Sequence, residues 1–172
     1  MLMKNNQQKG IGMVEVLVSL VLLAIGVLGY TALQLRAIEA GDEALVKSQA
    51  TMLLRGLTES IRANPQGQSS YPAAVRSYTS KNVPNGPTKS CLNAICTPTQ
   101  MATYEAYLVA RSANQIGVMI SMNECPGVNS IKRQCLFAAW EKTSISPNNY
   151  SECMSANGVY VANARCVMME AY

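Results

Sequence analysis

The feature that most constrains this chain is a long apolar run directly after a short polar segment. Lys4 and Lys9 lie in the first ten residues, and the run then extends from Ile11 to Leu35. The residues that interrupt its apolar character are Glu15, Ser19, Thr31 and Gln34. A helix of this length spans about 37 Å, which exceeds the roughly 30 Å hydrocarbon core of a bilayer. The run is therefore predicted to cross a membrane, with the lysine-bearing end in the cytoplasm.

A single carboxylate, that of Glu15, lies within the apolar run, five positions after Gly10. An ionisable group at membrane depth is costly, so it normally has a partner and a function. The pattern predicts cleavage after Gly10, which leaves a charged amine on Ile11 to pair with Glu15 of a neighbouring copy. An ordinary cleavable secretory signal fits less well, because the run is long and no small-x-small cleavage site precedes Leu33.

The junction around Gly10, Ile11 and Glu15 resembles the class III signal of type IV prepilins, and the stretch 12–29 is similar to minor pilins of the PilV type. Weaker similarity recurs at 96–102 and in the segment that ends at Trp140. The resemblance implies that a prepilin peptidase cuts after Gly10 and methylates the Ile11 amine. It also implies that Glu15 acts in subunit pairing and assembly.

The fold implied by the resemblance is α+β and type IV pilin-like. A long amino-terminal helix, membrane-spanning in its first half, packs against a small carboxy-terminal antiparallel β-sheet head with a second helix and disulfides. The predicted organisation is a cleaved leader (1–10), the transmembrane or filament-core half of helix 1 (11–35), its amphipathic half (36–64) and a periplasmic globular α/β head (65–172).

The function implied by the resemblance is that of a minor pilin in type IV pilus assembly and initiation, within a tip complex that supports twitching motility, adhesion or DNA uptake. The implied partners are the prepilin peptidase, other minor pilins, the major pilin and an adhesin-like tip protein. The subunit would wait in the bacterial inner membrane, with its head in the periplasm, before it joins the pilus at the cell surface. A minor pseudopilin of a type II secretion system shares the leader, Glu15 and the fold, and it is the alternative.

Two departures from the family pattern bear on this role. Ile11 stands where phenylalanine is most frequent, and a different hydrophobic residue should still fit the peptidase. Gly26 and Gly29 stand in the region where major pilins usually carry a proline. The glycines therefore favour a minor subunit over a bulk subunit.

The composition argues against catalysis. The chain has no histidine, and the acidic residues of the head are scattered. No catalytic set, metal site or cofactor is therefore predicted, and the protein is not expected to be an enzyme. The formal net charge is +4, of which two lysines belong to the predicted leader. The remaining basic residues are dispersed, so direct DNA binding is not expected.

Six cysteines lie in the carboxy-terminal half, and none occurs in the first ninety residues. An even number after an export segment predicts a disulfide framework formed in an oxidising compartment. Spacing alone leaves many pairings open. Sequence neighbours are preferred because each pair closes a short loop or hairpin, and these pairs are Cys91 with Cys96, Cys125 with Cys135, and Cys153 with Cys166.

Helical periodicity continues beyond the membrane segment to about Ala63, where Asn64 and Pro65 end it. The apolar stripe of this amphipathic part is predicted to comprise Ile38, Val46, Ala50, Leu53, Leu57 and Ile61. Residues 65–90 are rich in proline, serine, asparagine and glycine, and we expect a surface loop with little regular structure.

The remainder of the head is predicted to contain one helix and several strands. Thr97, Pro98 and Gln100 form a capping-box pattern, which predicts a second helix over 98–113. Apolar and β-branched runs between turn residues then predict strands at 117–122, 135–140, 159–161 and 166–169. An antiparallel meander packed against the helix stripe is the expected arrangement.

Overall fold

The computed structural model describes residues 12–83, 85–127 and 131–172. The predicted leader and its cleavage point at Gly10 and Ile11 lie outside the described residues. The chain divides into two compact units, one up to Glu43 and one from Ala44 to Tyr172. The first helix, α1 (Met13–Ala63), contributes to both.

The first unit presents apolar side chains on every side of α1. Every residue from Gly12 to Asp42 is exposed. The mean hydropathy reaches 2.5 over an 18-residue window, and no part of that window is buried. A continuous apolar surface of this size is not stable in water. This part of α1 therefore requires lipid or other apolar helices around it, as a membrane-crossing helix does.

In the second unit, α1 contributes one apolar stripe to the main core. Its fully buried members are Ala50, Leu54, Leu57 and Ile61, which recur at three- and four-residue steps. The predicted stripe was wrong at two positions. It included Ile38, which is 61% exposed, and it included Leu53 in place of the buried Leu54. Leu53 is only partly buried at the margin of the core.

The prediction of an irregular loop over 65–90 is wrong for its first half. A 3-10 helix (Pro65–Ser70) leads directly into α2 (Tyr71–Ser77). The side chain of Asn64 accepts a hydrogen bond from the Gly67 N–H at 3.2 Å and donates to the Pro98 carbonyl at 2.8 Å. This long-range contact and the buried apolar face of α2 outweigh the local loop-like composition.

Tyr71 anchors α2 in the core and is fully buried. Its hydroxyl donates to the Glu105 carboxylate and accepts from the Asn64 side-chain amide at 3.4 Å. Burial raises the pKa of Tyr71 well above its ordinary value, and the hydrogen bond to Glu105 raises it further. The hydroxyl therefore stays protonated and keeps donating throughout the neutral range.

The second predicted helix is confirmed as α3 (Pro98–Gln115), two residues longer than expected. Its capping box is also confirmed. The Thr97 hydroxyl accepts from the Gln100 N–H at 3.3 Å, and the Gln100 side chain accepts from the Thr97 N–H at 3.0 Å. The face of α3 toward the core is made of small residues, namely Ala102, Ala106, Ala110 and Ala113.

Three strands form one antiparallel sheet in the order β1 (Val118–Glu124), β2 (Gln134–Trp140) and β3 (Cys166–Glu170). Alternate residues of the central strand β2 face two different cores. Leu136, Ala138 and Trp140 join the helices in the main core. Cys135, Phe137 and Ala139 pack in a second cluster with Ile145, Cys153 and Met154.

The predicted strand at 159–161 is wrong. Tyr160 makes only an isolated bridge with Met154, and all three residues of the segment are exposed. β-branched and aromatic side chains favour strands mainly through packing on a half-buried surface. The segment lacks such a surface, so local propensity alone does not produce a strand.

Both outer edges of the sheet receive side-chain hydrogen bonds. On β1, the Ile120 carbonyl accepts from the Thr79 hydroxyl at 2.9 Å. On β3, the Met168 N–H donates to the Tyr160 hydroxyl at 3.0 Å. Unpaired backbone groups on an edge strand are sites where another chain can add, and side chains that occupy them reduce this risk.

Three disulfides join the pairs of sequence neighbours. Cys91–Cys96 closes a short exposed loop, with 5.6 Å between the Cα atoms. Cys125–Cys135 links the end of β1 to β2, and Cys153–Cys166 links the long β2–β3 connection to β3. The last pair lies in the second cluster and is almost completely buried.

Candidate functional site

The carboxylate of Glu15 lies in the first turn of α1. The turn begins at Gly12, whose carbonyl accepts from the Glu15 N–H at 2.9 Å. The amino-terminal end of a helix carries partial positive charge from its unpaired N–H groups, which favours a carboxylate there. The helix geometry thus partly offsets the cost of holding this charge in an apolar segment.

The Glu15 carboxylate projects from a mainly apolar face of α1. Glu15 lines a shallow groove together with Val16, Ser19, Leu20 and Leu23. The Ser19 hydroxyl does not hydrogen-bond to the Glu15 carboxylate, because it donates instead to the Glu15 backbone carbonyl at 2.7 Å. Among the residues that the structure describes, no cation forms an ion pair with Glu15. Its acceptor oxygens are therefore available to a donor from another molecule.

Ser19 was predicted only as a polar interruption of the apolar run, and its place beside Glu15 was missed. The signal was present in the spacing, since residues four apart on a helix share one face. Gly10 and Ile11 complete the predicted site, but they lie outside the described residues. Of the predicted site, the structure thus places Glu15, in the first turn of α1.

The described head contains no cluster suited to a metal ion. Within residues 12–83, 85–127 and 131–172, no three histidine, cysteine or acidic side chains come together as ligands. The six cysteines are joined in disulfides, so they offer no thiolate. What the chain offers instead is the exposed apolar first part of α1, where Glu15 is the one carboxylate of the run 11–35, and this suits association with other helices.

Comparisons with known families agree with this geometry. The prokaryotic N-terminal methylation motif matches residues 5–31, and the family described as Type IV pilin Tt1218 matches residues 32–107. The two matches run without a gap from the leader region into α3. Neither the curated proteins nor the solved structures include one that matches this chain significantly.

The first match places the chain among proteins whose amino terminus carries a prepilin methylation signal. Taken with the second match and the fold, it shows that the chain belongs to the type IV pilins. The α+β fold class is confirmed, with a long apolar amino-terminal helix, a small antiparallel sheet, further helices and disulfides. The matched family is structural and is not an enzyme family. Its motif implies processing by a peptidase and assembly with other pilins, and the apolar helix fits membrane anchoring.

Proposed function

We propose that this type IV pilin is a minor pilin of the PilV type that acts in the initiation of pilus assembly. The observation that carries the assembly role is the carboxylate of Glu15 on the exposed apolar surface of α1. The absence of a proline from the run 11–35, with Gly26 and Gly29 in its place, supports a minor subunit.

The proposed mechanism begins with processing in the inner membrane. A prepilin peptidase cuts after Gly10 and methylates the new amine of Ile11, while the head remains in the periplasm. The subunit then leaves the lipid and joins a bundle of similar helices. This transfer is nearly neutral in hydrophobic free energy, because lipid tails are as apolar as the side chains. Packing and polar pairs must therefore select the correct neighbour.

Glu15 supplies the proposed polar pair. Its carboxylate accepts from the Ile11 amine of an adjacent subunit, which fixes the axial register between the two helices. A charge left unpaired in hydrocarbon costs about 2.5 to 3.5 kcal/mol on insertion scales. Gly26 and Gly29 lie on a helix surface that is open to a neighbour, and the lack of a side chain there allows another helix to approach closely.

Processing is tested by the mass of the native protein. We expect material from cells with active peptidase to lack the first ten residues and to begin with methylated Ile11. Gly10→Val should retain the full length, because a side chain at the cleaved position obstructs the peptidase. Gly12→Ala is the matched control, since open space surrounds Gly12, and it should be processed normally. Full-length protein in the presence of active peptidase would refute the proposal.

The proposed minor role is tested by the copy number of the protein in sheared pili and by deletion of its gene. We expect the protein in sheared pili at no more than about one copy per hundred major subunits, because an initiation complex occurs once per filament. Deletion should reduce the number of pili at least about tenfold, and a copy expressed in trans should restore them. A secretion defect with normal pili would instead identify a pseudopilin, and equal abundance with the major subunit would exclude a minor role.

A further inference from the structure

The disulfide Cys91–Cys96 differs from the other two disulfides in its accessibility. Both of its cysteines are partly exposed, and the residues between them, 92–95, are all exposed. In each of the other two pairs at least one cysteine is buried, since Cys135 is 1% exposed and Cys153 is fully buried. A thiolate from another molecule must reach a sulfur atom before it can attack a disulfide. The first pair therefore offers the better access in the folded head.

The thiolate that leaves during exchange also favours this pair. Attack on one sulfur of a disulfide releases the other as a thiolate, and a better stabilised thiolate leaves faster. Cys96 comes directly before Thr97, the N-cap of α3, so its thiolate would form at the end of that helix that carries partial positive charge. By contrast, Cys135, Cys153 and Cys166 pack in the apolar second cluster, where a thiolate is unfavourable.

The two sulfur atoms of the exposed pair have different surroundings. The Cys91 Sγ lies 3.9 Å from the Gln100 carbonyl oxygen, and an acceptor beside a thiol favours its neutral form. The Lys89 ammonium donates to the Ile95 carbonyl at 2.6 Å, one residue before Cys96, and a cation there favours a thiolate. An incoming thiolate is therefore expected to attack Cys91 and to release Cys96.

Contacts that do not involve sulfur also hold the two ends of this loop together. The Lys89 ammonium, besides its bond to the Ile95 carbonyl, donates to the Gln100 side chain at 3.3 Å. The Ser90 hydroxyl donates to the Tyr104 hydroxyl at 3.3 Å. Groups that a fold holds close to each other react faster than free ones. The reduced cysteines should therefore stay near each other and form their bond again.

We propose that the Cys91–Cys96 disulfide is a reversible redox clasp, which a dithiol from another molecule opens while the head remains folded. One thiolate of the dithiol bonds to Cys91, which forms a mixed disulfide and releases Cys96 as a thiolate. The second thiolate of the dithiol then attacks the dithiol sulfur that is bonded to Cys91, and Cys91 leaves. The dithiol is oxidised to a disulfide, and two electrons and two protons pass to the loop. The reverse sequence, from an external disulfide, closes the clasp.

The clasp determines how firmly an apolar surface of the head is held. Leu92 and Ile95 lie within the closed loop and are 76% and 95% exposed. Opening of the disulfide gives residues 92–95 conformational freedom that they must lose again in any contact through this loop. An open clasp therefore weakens such a contact. The proposal is independent of the assembly role of Glu15.

The clasp is tested by timed reduction of the full-length protein in detergent with dithiothreitol. Free thiols are blocked with N-ethylmaleimide at intervals and located by mass spectrometry. Cys91 and Cys96 should be labelled first, and the two other pairs at least about 100-fold more slowly, because their reduction requires opening of the core. The fluorescence of Trp140, the one tryptophan of the chain, should keep its native value meanwhile, and oxidised glutathione should restore the bond.

Two single-cysteine variants test which sulfur leaves. Cys91→Ser retains Cys96, which should react with N-ethylmaleimide at neutral pH at least about tenfold faster than the Cys91 thiol of Cys96→Ser. Equal rates would overturn the assignment of Cys96 as the leaving thiolate. The clasp itself is overturned if all three disulfides are reduced at one rate, or if the first pair resists dithiothreitol until denaturant is added. It is equally overturned if the Trp140 fluorescence changes as the first pair opens.

Discussion

Replacing Glu15 with alanine is expected to reduce incorporation of this pilin into filaments by about 60- to 300-fold, while removal of the leader continues. The variant removes the charge of Glu15 from the apolar run, but it leaves the amine of the adjacent subunit without an acceptor. An unpaired charge among apolar helices costs about 2.5 to 3.5 kcal/mol, and each 1.4 kcal/mol corresponds to a factor of ten. The measurement is the amount of the subunit in sheared pili relative to the membrane fraction.

Two further variants make this experiment specific. Glu15→Gln keeps the size and hydrogen-bonding capacity of the side chain but removes its charge, so it should resemble the alanine variant if charge pairing matters. Glu39→Ala removes an exposed carboxylate from the same helix, beyond the apolar run, and should incorporate normally. Normal incorporation of Glu15→Ala would rule out the pairing role, whatever the state of the leader.

The second large effect concerns the stability of the head. Replacing both Cys153 and Cys166 with alanine is expected to lower the free energy of unfolding by about 4 kcal/mol, which corresponds to roughly 10 °C in Tm. Their disulfide reduces the conformational entropy of the unfolded chain. Both sulfur atoms also fill the second cluster, to which Phe137 belongs. Loss of the bond therefore adds a packing defect to the entropic cost. The measurement is thermal unfolding of the full-length protein in detergent.

The matched control is the double alanine variant of Cys91 and Cys96. This pair closes a shorter loop and lies at the surface, so its removal should cost about 2 kcal/mol with no cavity. Equal losses of stability in the two double variants would show that burial of Cys153 and Cys166 contributes nothing. No loss in either would show that the disulfides are not needed for the stability of the head.

Elements whose signals are local could be predicted from the sequence. The end of α1 at Ala63 follows from the proline that comes two residues later, and the start of α3 follows from the Thr97 capping box. Strands β1, β2 and β3 were each found within two residues of their bounds, because turn residues separate apolar runs there. In these segments local propensity and tertiary packing favour the same structure.

Elements that depend on distant contacts could not be predicted. The 3-10 helix and α2 rest on the bond from Asn64 to the Pro98 carbonyl, across 34 residues. Gly67 shows the same dependence, because an added Cβ would lie 2.5 Å from that carbonyl. A cavity beside Trp140 is lined by residues from three separate stretches of the chain, 81, 114–119 and 140–141, so no local pattern indicates it. Glu15, by contrast, belongs to a compact motif that local sequence is enough to indicate.

The side chains that hydrogen-bond to the two edge strands of the sheet limit how the head can bind another polypeptide. Since Thr79 and Tyr160 occupy backbone groups of β1 and β3, another polypeptide can extend the sheet there only by displacing them. Recognition between neighbouring heads must then rely on the chemistry of exposed side chains. Such contacts can change one residue at a time without disturbing the backbone of the sheet.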